Sequence, residues 1–286
     1  IADARGRAMG TYRMVDMTGS LAAQGIIGIL APADYISYNI LTILCCAALL
    51  PITLTSTSQP ETPKSLRLRP KLAFTRSPLA VAGVIVAALS SASFRMVGPI
   101  YGQEMGLTAA EIAWFLAAFV IGGAFAQLPV GWIADKFDRR KVLIWLSVAA
   151  IISCGITLSL ASTGVFGILL SSAFFGLTTF PIYSVAAAHA HDFASSDERV
   201  ELSAALMFWF AMGAIAAPYG ASVLIENYGP EAMFVMLAAG HASLIIFGLS
   251  RMLAGRTALR RTAYVNAPRT SFVVGRLFRK EREKFK

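Results

Sequence analysis

Long apolar stretches dominate this sequence and restrict what it can fold into. Eight of them recur along the chain, each about 20 residues long, and at a helical rise of about 1.5 Å per residue each crosses a hydrocarbon layer of about 30 Å. Strands are excluded because a spanning strand needs only about ten residues of alternating polarity, and unpaired backbone groups in lipid cost several kcal/mol each. We predict an all-α, polytopic membrane helix bundle with helices over residues 10–31, 37–56, 78–98, 110–131, 142–161, 165–188, 202–225 and 231–250.

The composition supports a membrane protein over a soluble one. With 56% hydrophobic and 14% charged residues and a mean hydropathy of +0.64, the chain has more apolar surface than one soluble core can bury.

Two helix starts also carry local capping chemistry. Ser77 directly precedes Pro78, and Thr108 stands three residues before Glu111 in the spacing of a capping box, so we expect helices to begin at both places.

Outside the apolar runs, Lys and Arg are confined to alternate connections. The intervening connections at 31–35, 100–107, 162–163 and 227–230 contain neither residue. By the positive-inside rule, we expect the basic connections and both termini to face the cytoplasm of a bacterial inner membrane. This topology accounts for the net charge of +9, so nucleic acid is not an expected partner. Before the tail, the basic residues of these connections are Arg5, Arg7, Lys64, Arg67, Arg69, Lys71, Arg76, Lys136, Arg139, Arg140, Lys141 and Arg199.

The tail from Arg251 to Lys286 is basic throughout. Its Arg and Lys residues are separated by small and apolar ones, which leaves two alternatives open. The tail is either a flexible extension that touches lipid or an interfacial amphipathic helix on anionic headgroups. Both alternatives predict anionic lipids as partners of this segment.

The connection after the fourth run contains the most specific local pattern. Residues 131–141 read Gly-Trp-Ile-Ala-Asp-Lys-Phe-Asp-Arg-Arg-Lys. A glycine lets helices approach closely, and a carboxylate one turn later can meet a neighbouring helix N-terminus or an arginine. The segment resembles the signature of the major facilitator superfamily of membrane transporters, although Asp138 stands where that family often has glycine, which predicts a less tight turn. The residues predicted to form a conformational motif are Gly131, Asp135, Lys136, Arg139 and Arg140.

This resemblance implies the fold of that family and puts the motif between the eighth and ninth of twelve helices. On that basis the chain is expected to be a fragment that holds helices five to twelve and lacks the first four. Such a fragment is expected not to transport alone, because the substrate site lies between two six-helix halves. The implied domains are the last two helices of the first half (1–56), a central cytoplasmic loop (57–77), the complete six-helix second half (78–250) and a cytoplasmic tail (251–286).

Three further segments resemble the YcaD-like subgroup of these transporters. They begin at Gly98, Phe180 and Ala188 and read Gly-Pro-Ile-Tyr-Gly-Gln-Glu-Met-Gly-Leu-Thr, Phe-Pro-Ile-Tyr-Ser and Ala-His-Ala-His-Asp. Within the last of them, His191 stands where we expect asparagine. The resemblance implies the subgroup's fold but no particular substrate.

Polar side chains inside the apolar runs are candidates for function, because a charge at the bilayer centre costs roughly 2.5–3.5 kcal/mol or more. Arg13 and Asp16 lie three residues apart on one helical face and form either a structural ion pair or a substrate or gating site. Arg95 can bind an anionic substrate or extend to the outer interface. The residues that either line a central cavity or simply pack within the bundle are Asn39, Gln127, Tyr183 and Trp209.

The histidines allow two further interpretations. His189, His191 and Asp192 have ligand chemistry suited to zinc, but no fourth ligand is near in sequence. We expect them instead to end a helix opposite the arginines of the motif, provided that the two connections are neighbours. His241 is either a proton carrier or a packed side chain, and the packed role is favoured. We predict no metal site and no cofactor.

Together, the resemblance and these residues predict a secondary active transporter of a small molecule that works by alternating access. Whether the substrate is anionic and whether transport is coupled to protons both stay open. The alternative is a membrane-embedded receptor or enzyme, which has less support because the sequence offers no nucleophile with a base, no paired catalytic carboxylates and no phosphate loop. We expect Asp135 to accept hydrogen bonds from the helix that starts near Leu202 and to pair with Arg139 or Arg140, which closes the cytoplasmic side.

Overall fold

The computed structural model describes residues 18–19, 21–23, 25–26, 35–54, 68–195 and 198–253. Arg13 and Asp16, most of the first predicted run, and the tail after Leu253 lie outside the described residues. Within the described part, every regular element is helical, which confirms the all-α prediction.

The elements follow the predicted runs closely. Six helices, α3 to α8 below, are long and apolar enough to cross a membrane. They extend beyond the predicted ends, because polar residues outside the hydrocarbon layer continue each helix without any cost in burial. In chain order the described helices are α1 (Tyr35–Thr53), α2 (Pro70–Arg76), α3 (Pro78–Glu104), α4 (Ala109–Lys136), α5 (Arg139–Leu160), α6 (Val165–His191), α7 (Arg199–Tyr228) and α8 (Ala232–Leu253), with a 3-10 turn at Ala161–Thr163.

Two helices precede the membrane-spanning bundle. α1 corresponds to the second predicted run, and nearly all of its described side chains are exposed. α2 lies in the segment predicted as a loop, so the prediction missed a helix there. Pro70 opens α2, where its fixed φ suits a helix and its missing N–H leaves no hydrogen bond unmade.

Both predicted caps are confirmed. The Ser77 hydroxyl accepts a hydrogen bond of 3.1 Å from the Ala80 backbone N–H at the start of α3. At the start of α4, the Thr108 hydroxyl accepts from the Glu111 backbone N–H at 3.3 Å, and the Glu111 carboxylate accepts from the Thr108 backbone N–H at 2.8 Å. These contacts satisfy N–H groups that a helix start otherwise leaves without partners.

The six long helices form one bundle around α3 and α6, which bury the largest shares of their apolar residues. α3 packs against α6, α7 and α8, whereas α6 packs mainly against α4 and α5, and α5 also packs against α8. α7 buries the smallest share of the six. The bundle therefore has a tightly packed centre, and α7 is the most exposed of its six helices.

Close backbone contact joins α4 to α6. A Cβ added to Gly122 would collide with the Ala173 carbonyl oxygen, and one added to Gly176 would collide with the Phe119 carbonyl oxygen. The Ser172 hydroxyl donates a hydrogen bond of 2.6 Å to the Phe115 carbonyl across the same seam. Small and hydroxyl-bearing residues are the usual means of bringing membrane helices together, because lipid supplies no hydrophobic drive between them.

Candidate functional site at the basic end of the bundle

Because successive helices run in opposite directions, their basic connections meet at one end of the bundle. This end, called the basic end below, includes Arg76, residues 135–141, residues 188–195 and 198–199, and Arg251. The opposite end contains the turns after α3, α5 and α7. The predicted motif lies at the basic end, where α4 ends and α5 begins.

Arg139 connects three segments at this end. Its Nη1 donates hydrogen bonds to Asp192 Oδ1 at 2.5 Å and to the Ala188 carbonyl oxygen at 3.0 Å. Its Nη2 lies 3.4 Å from Asp135 Oδ1. We call Asp135, Arg139 and Asp192 the Arg139 bridge. It confirms that Asp135 pairs with Arg139 and that the two basic connections are neighbours.

Burial makes the two halves of the Arg139 bridge unequal. The side chains of Arg139 and Asp192 are 2% and 4% exposed, whereas that of Asp135 is 47% exposed. Removing one partner of a buried ion pair costs about 3–5 kcal/mol because it leaves a charge without compensation, but an exposed pair contributes only about 0–1 kcal/mol. Asp192 is therefore the main counter-ion of Arg139. The sequence analysis placed Asp192 opposite the arginines of the motif but named only Asp135 as a partner of Arg139 or Arg140.

Asp138 has a local role that the sequence analysis did not predict. It is the N-cap of α5, and its carboxylate accepts a 3.0 Å hydrogen bond from the Arg140 backbone N–H and a 2.7 Å bond from the Arg140 side chain. Burial raises the pKa of the Asp138 carboxyl, but these hydrogen bonds from Arg140 outweigh it and hold the pKa below its ordinary value. Aspartate at this position therefore starts the next helix, where glycine would leave the first turn uncapped.

The remaining members of the motif occupy distinct surroundings. Gly131 is buried near the end of α4. The Lys136 ammonium lies 3.7 Å from the centroid of the Trp132 ring, a cation–π contact on the same helix. The predicted hydrogen bonds from the first turn of α7 to Asp135 stay a prediction.

The two histidines near Asp192 have protein neighbours. His191 Nε2 lies 3.2 Å from the Ser203 hydroxyl, which connects the end of α6 to α7. The His189 ring contacts the Phe193 ring edge-on at 5.2 Å between centroids. Among the described residues, no three His, Cys, Asp or Glu side chains come together as a set of metal ligands.

A second set of side-chain contacts at the basic end joins α2 to the start of α7. Arg76 pairs with Glu198, and Arg69 Nη1 lies 3.3 Å from Glu201 Oε2. The hydrogen bond from Arg76 lowers the pKa of the Glu198 carboxyl, so this pair stays ionised at neutral pH and is lost only as the pH falls through that lowered value. Trp209 adds a hydrogen bond of 3.0 Å from its Nε1–H to the Pro70 carbonyl oxygen. The basic residues were visible in the sequence, but their acidic partners lie far away along the chain.

The candidate substrate-site residues within the six-helix bundle lie on α3, α4, α6 and α7. The Arg95 side chain is exposed on α3, and its guanidinium lies 5.9 Å from the centroid of the Phe180 ring. Gln127 and Tyr183 are buried, and the Tyr183 ring meets the Phe210 ring edge-on at 5.3 Å. Trp209 contacts α2, as described above.

His241 is fully buried in α8 and lies 2.9 Å from the Ser90 hydroxyl of α3 through its Nε2. The pair joins two helices inside the bundle. This is the packed arrangement that the sequence analysis favoured over a proton carrier.

Comparison with known proteins agrees with the helical architecture. The family model described as Major Facilitator Superfamily matches residues 79–282. A protein of Yersinia enterocolitica described as an uncharacterized MFS-type transporter is 25% identical over 236 residues, which is 82% of this chain and 60% of the relative. The uncharacterized MFS-type transporter YcaD of Escherichia fergusonii is 26% identical over 238 residues, or 82% of this chain and 61% of the relative. An uncharacterized MFS-type transporter of an Enterobacter species is 27% identical over the same shares. The chain thus spans about 60% of the length of these curated relatives.

Proposed function

Because this chain belongs to the Major Facilitator Superfamily, a family of multi-pass membrane transporters, we propose that the protein is a secondary active transporter. It moves a small molecule by alternating access, in which two sets of helices rock around a central site and an ion gradient supplies the work. The basic end faces the cytoplasm of a bacterial inner membrane, as the positive-inside rule requires.

The observation that carries this proposal is the Arg139 bridge. It connects the ends of α4 and α6 with the start of α5, all on one side of the membrane. Ionic contacts at a solvated end can form and break as a unit, whereas packed apolar surfaces resist separation. The exposed Asp135–Arg139 contact is therefore suited to form when the cytoplasmic side is closed and to break when it opens, while the buried Arg139–Asp192 pair stays in place.

Within the Arg139 bridge, the contact between Asp135 and Arg139 is the one that can break and form again most easily. Its carboxylate is about half exposed and lies 3.4 Å from Arg139, so this contact costs little to break. We propose that Asp135 pairs with Arg139 and with the first turn of α7 when the cytoplasmic side is closed. Asp192 keeps Arg139 in place throughout the cycle.

The substrate class is proposed from Arg95. This residue is a guanidinium within an apolar run, and the Phe180 ring lies beneath it. Arg binds carboxylates and phosphates through two parallel N–H donors, a geometry that Lys cannot reproduce. If the substrate is anionic, Arg95→Lys should weaken its binding by about 1–3 kcal/mol while conserving the charge. Unchanged affinity in both Arg95→Lys and Arg95→Ala would assign Arg95 to the interface instead.

The proposal is tested with the full-length protein in proteoliposomes. Uptake of candidate substrates is measured with and without an imposed proton gradient, and gradient-dependent flux is expected. Asp135→Asn should reduce that flux by about fivefold, because an exposed pair is worth up to about 1 kcal/mol. Glu226→Gln, an exposed carboxylate at the opposite end, is the matched control and should transport normally.

A second measurement reports on the closed state directly. Ala190 is fully buried on α6 near the bridge, so Ala190→Cys in a background without the three native cysteines provides a site for thiol labelling. Adding Asp135→Asn should speed labelling from the basic side. If neither flux nor labelling changes, the bridge has no part in the transport cycle.

A further inference from the structure

A cleft opens at the basic end between α3, α5, α6 and α8. It is open to solvent and its cavity volume is about 50 Å³, which is enough for a small group but below the usual range of small-molecule sites. Arg76, Arg140 and Arg251 line it, together with His189 from the last turn of α6. These residues come from four separate places in the sequence, so only the packed bundle brings them together.

The cleft is cationic. Among the described residues, none of those that line it is acidic. Two of its guanidinium groups already have one carboxylate each, since Arg140 pairs with Asp138 at 2.7 Å and Arg76 pairs with Glu198. No carboxylate among the described residues pairs with Arg251. The surplus positive charge favours an anionic ligand.

Helix ends do not supply this preference. The first turns of α3 and α5 reach the cleft, but so do the last turns of α6 and α8, and their opposite partial charges largely offset each other. The arginine side chains are therefore the source of the charge. Guanidinium groups match phosphate oxygens through paired N–H donors, so phosphate is the anion that this arrangement fits best.

We propose that this cleft binds the phosphate group of an anionic phospholipid. The cleft lies where membrane-spanning helices end, which is the level of the lipid headgroups, and basic pockets between helices at this level suit such headgroups. Leu79 and Phe193 give it apolar walls beside the arginines, as a phosphate attached to a glycerol backbone and acyl chains requires. The inference depends on membrane insertion and not on transport.

The chain's own tail is a poor occupant of the same cleft. Residues 254–286 contain ten Lys and Arg against two Glu, so the tail and the cleft repel each other. An anionic lipid, in contrast, is attracted to both the cleft and the tail. A headgroup in the cleft would also lie against Arg140, which is next to Arg139 in sequence, and would thereby connect lipid composition to the Arg139 bridge.

The experiment measures thermal unfolding of the purified chain in detergent with added short-chain phosphatidylglycerol or phosphatidylcholine. A ligand that binds only the folded protein stabilises it by RT ln(1 + L/Kd), where L is the free ligand concentration, so the dependence of the unfolding temperature on ligand concentration gives its affinity. Phosphatidylglycerol is expected to raise the unfolding temperature at low concentration, and phosphatidylcholine is expected to do so only at far higher concentration. Inorganic phosphate and glycerol 1-phosphate are titrated in parallel as soluble forms of the same anion.

Arg251→Gln is expected to weaken phosphatidylglycerol binding by roughly tenfold or more, because it removes a charged hydrogen-bond donor. Lys141→Gln is the matched control, since it removes one charge from an exposed residue at the same end that does not line the cleft. The control should bind like the parent chain. Because residues 254–286 are unchanged in both variants, their difference reports on the cleft alone. If Arg251→Gln does not fold, Arg76→Gln takes its place.

Three results would overturn the proposal. Equal losses in Arg251→Gln and Lys141→Gln would mean diffuse surface charge and no specific site. Equal stabilisation by phosphatidylcholine and phosphatidylglycerol would mean that the arginines do not select the headgroup. An equal rise in unfolding temperature with inorganic phosphate or glycerol 1-phosphate at the lipid's own concentrations would assign the cleft to a soluble anion.

Discussion

The two ends of the six-helix bundle differ in how they are held together. At the basic end, ion pairs cross between helices: Arg139 joins Asp192 and Asp135, and Arg76 joins Glu198. Towards the opposite end, the contacts are aromatic and apolar. The rings that form this cluster are Phe94, Tyr101, Phe115, Phe119, Phe175 and Phe234, with neighbouring centroids 4.4–6.0 Å apart.

The turns differ in the same way. At the opposite end, the three turns contain Gly106, Gly164 and Gly229, each with a φ between +79° and +88°. Glycine adopts this left-handed conformation without strain, so these turns are short and fixed. At the basic end, α3 and α5 start with side-chain caps on Ser77 and Asp138, and none of the described glycines there has a positive φ. The opposite end is therefore held by packing contacts that persist, whereas the basic end is held by charged side chains, of which the exposed ones can exchange partners.

The largest expected effect is at the buried half of the Arg139 bridge. Asp192→Asn leaves Arg139 buried without its main counter-ion and should lower the free energy of unfolding by about 3–5 kcal/mol. Urea or thermal unfolding of the purified chain in detergent measures it. The double variant Arg139→Met with Asp192→Leu removes both charges and should recover most of the loss. A small effect of Asp192→Asn would show that charge does not hold the basic end together.

The next effect tests the persistent packing between α4 and α6. Gly176→Ala introduces a methyl group against the Phe119 carbonyl oxygen and should destabilise the bundle by about 1–3 kcal/mol. Gly155→Ala is the control, because it lies in the middle of α5 with nothing within 4 Å of the added methyl. The control should be neutral or slightly stabilising, since alanine favours a helix. Equal behaviour of the two variants in the same unfolding assay would mean that the close contact is easily relaxed.

A smaller effect is expected at a turn of the opposite end. Gly229 has a φ of +87° and open space around its Cα, so alanine there meets strain but no clash. Gly229→Ala should therefore cost about 1–2 kcal/mol. Gly229→Asn should cost less, because asparagine tolerates this conformation better than alanine does. If the two substitutions unfold at the same denaturant concentration, the turn does not require a left-handed residue.

The smallest effect on stability is expected at Asp135. Its side chain is about half exposed, so Asp135→Asn should change the free energy of unfolding by less than about 1 kcal/mol. The same variant is expected to slow transport and speed labelling at Ala190→Cys, as proposed above. Loss of stability as large as that in Asp192→Asn would instead make Asp135 a folding residue, and the two halves of the bridge would then be equivalent.

Local rules were enough to predict much of the fold from the sequence. The length of the apolar runs predicted the six long helices among the described residues, since a bilayer sets one dimension for all of them. The caps at Ser77 and Thr108 were also predictable, because each involves residues within one helical turn. α2 was missed although Pro70 marks its start, since a helix of 7 residues carries too weak a periodic signal beside the long runs.

Only the tertiary structure decided which charges meet. The sequence identified Asp135 and Arg139 through the motif at residues 131–141. Asp192 lies 53 residues from Arg139 and became its closest partner through the packing of α5 on α6. The cleft of Arg76, Arg140 and Arg251 likewise exists only where four helix ends converge. Sequence determines how each helix begins, ends and crosses the membrane, because those properties depend on neighbours along the chain. Pairing and burial of charges depend on distances across the bundle, which no local pattern specifies.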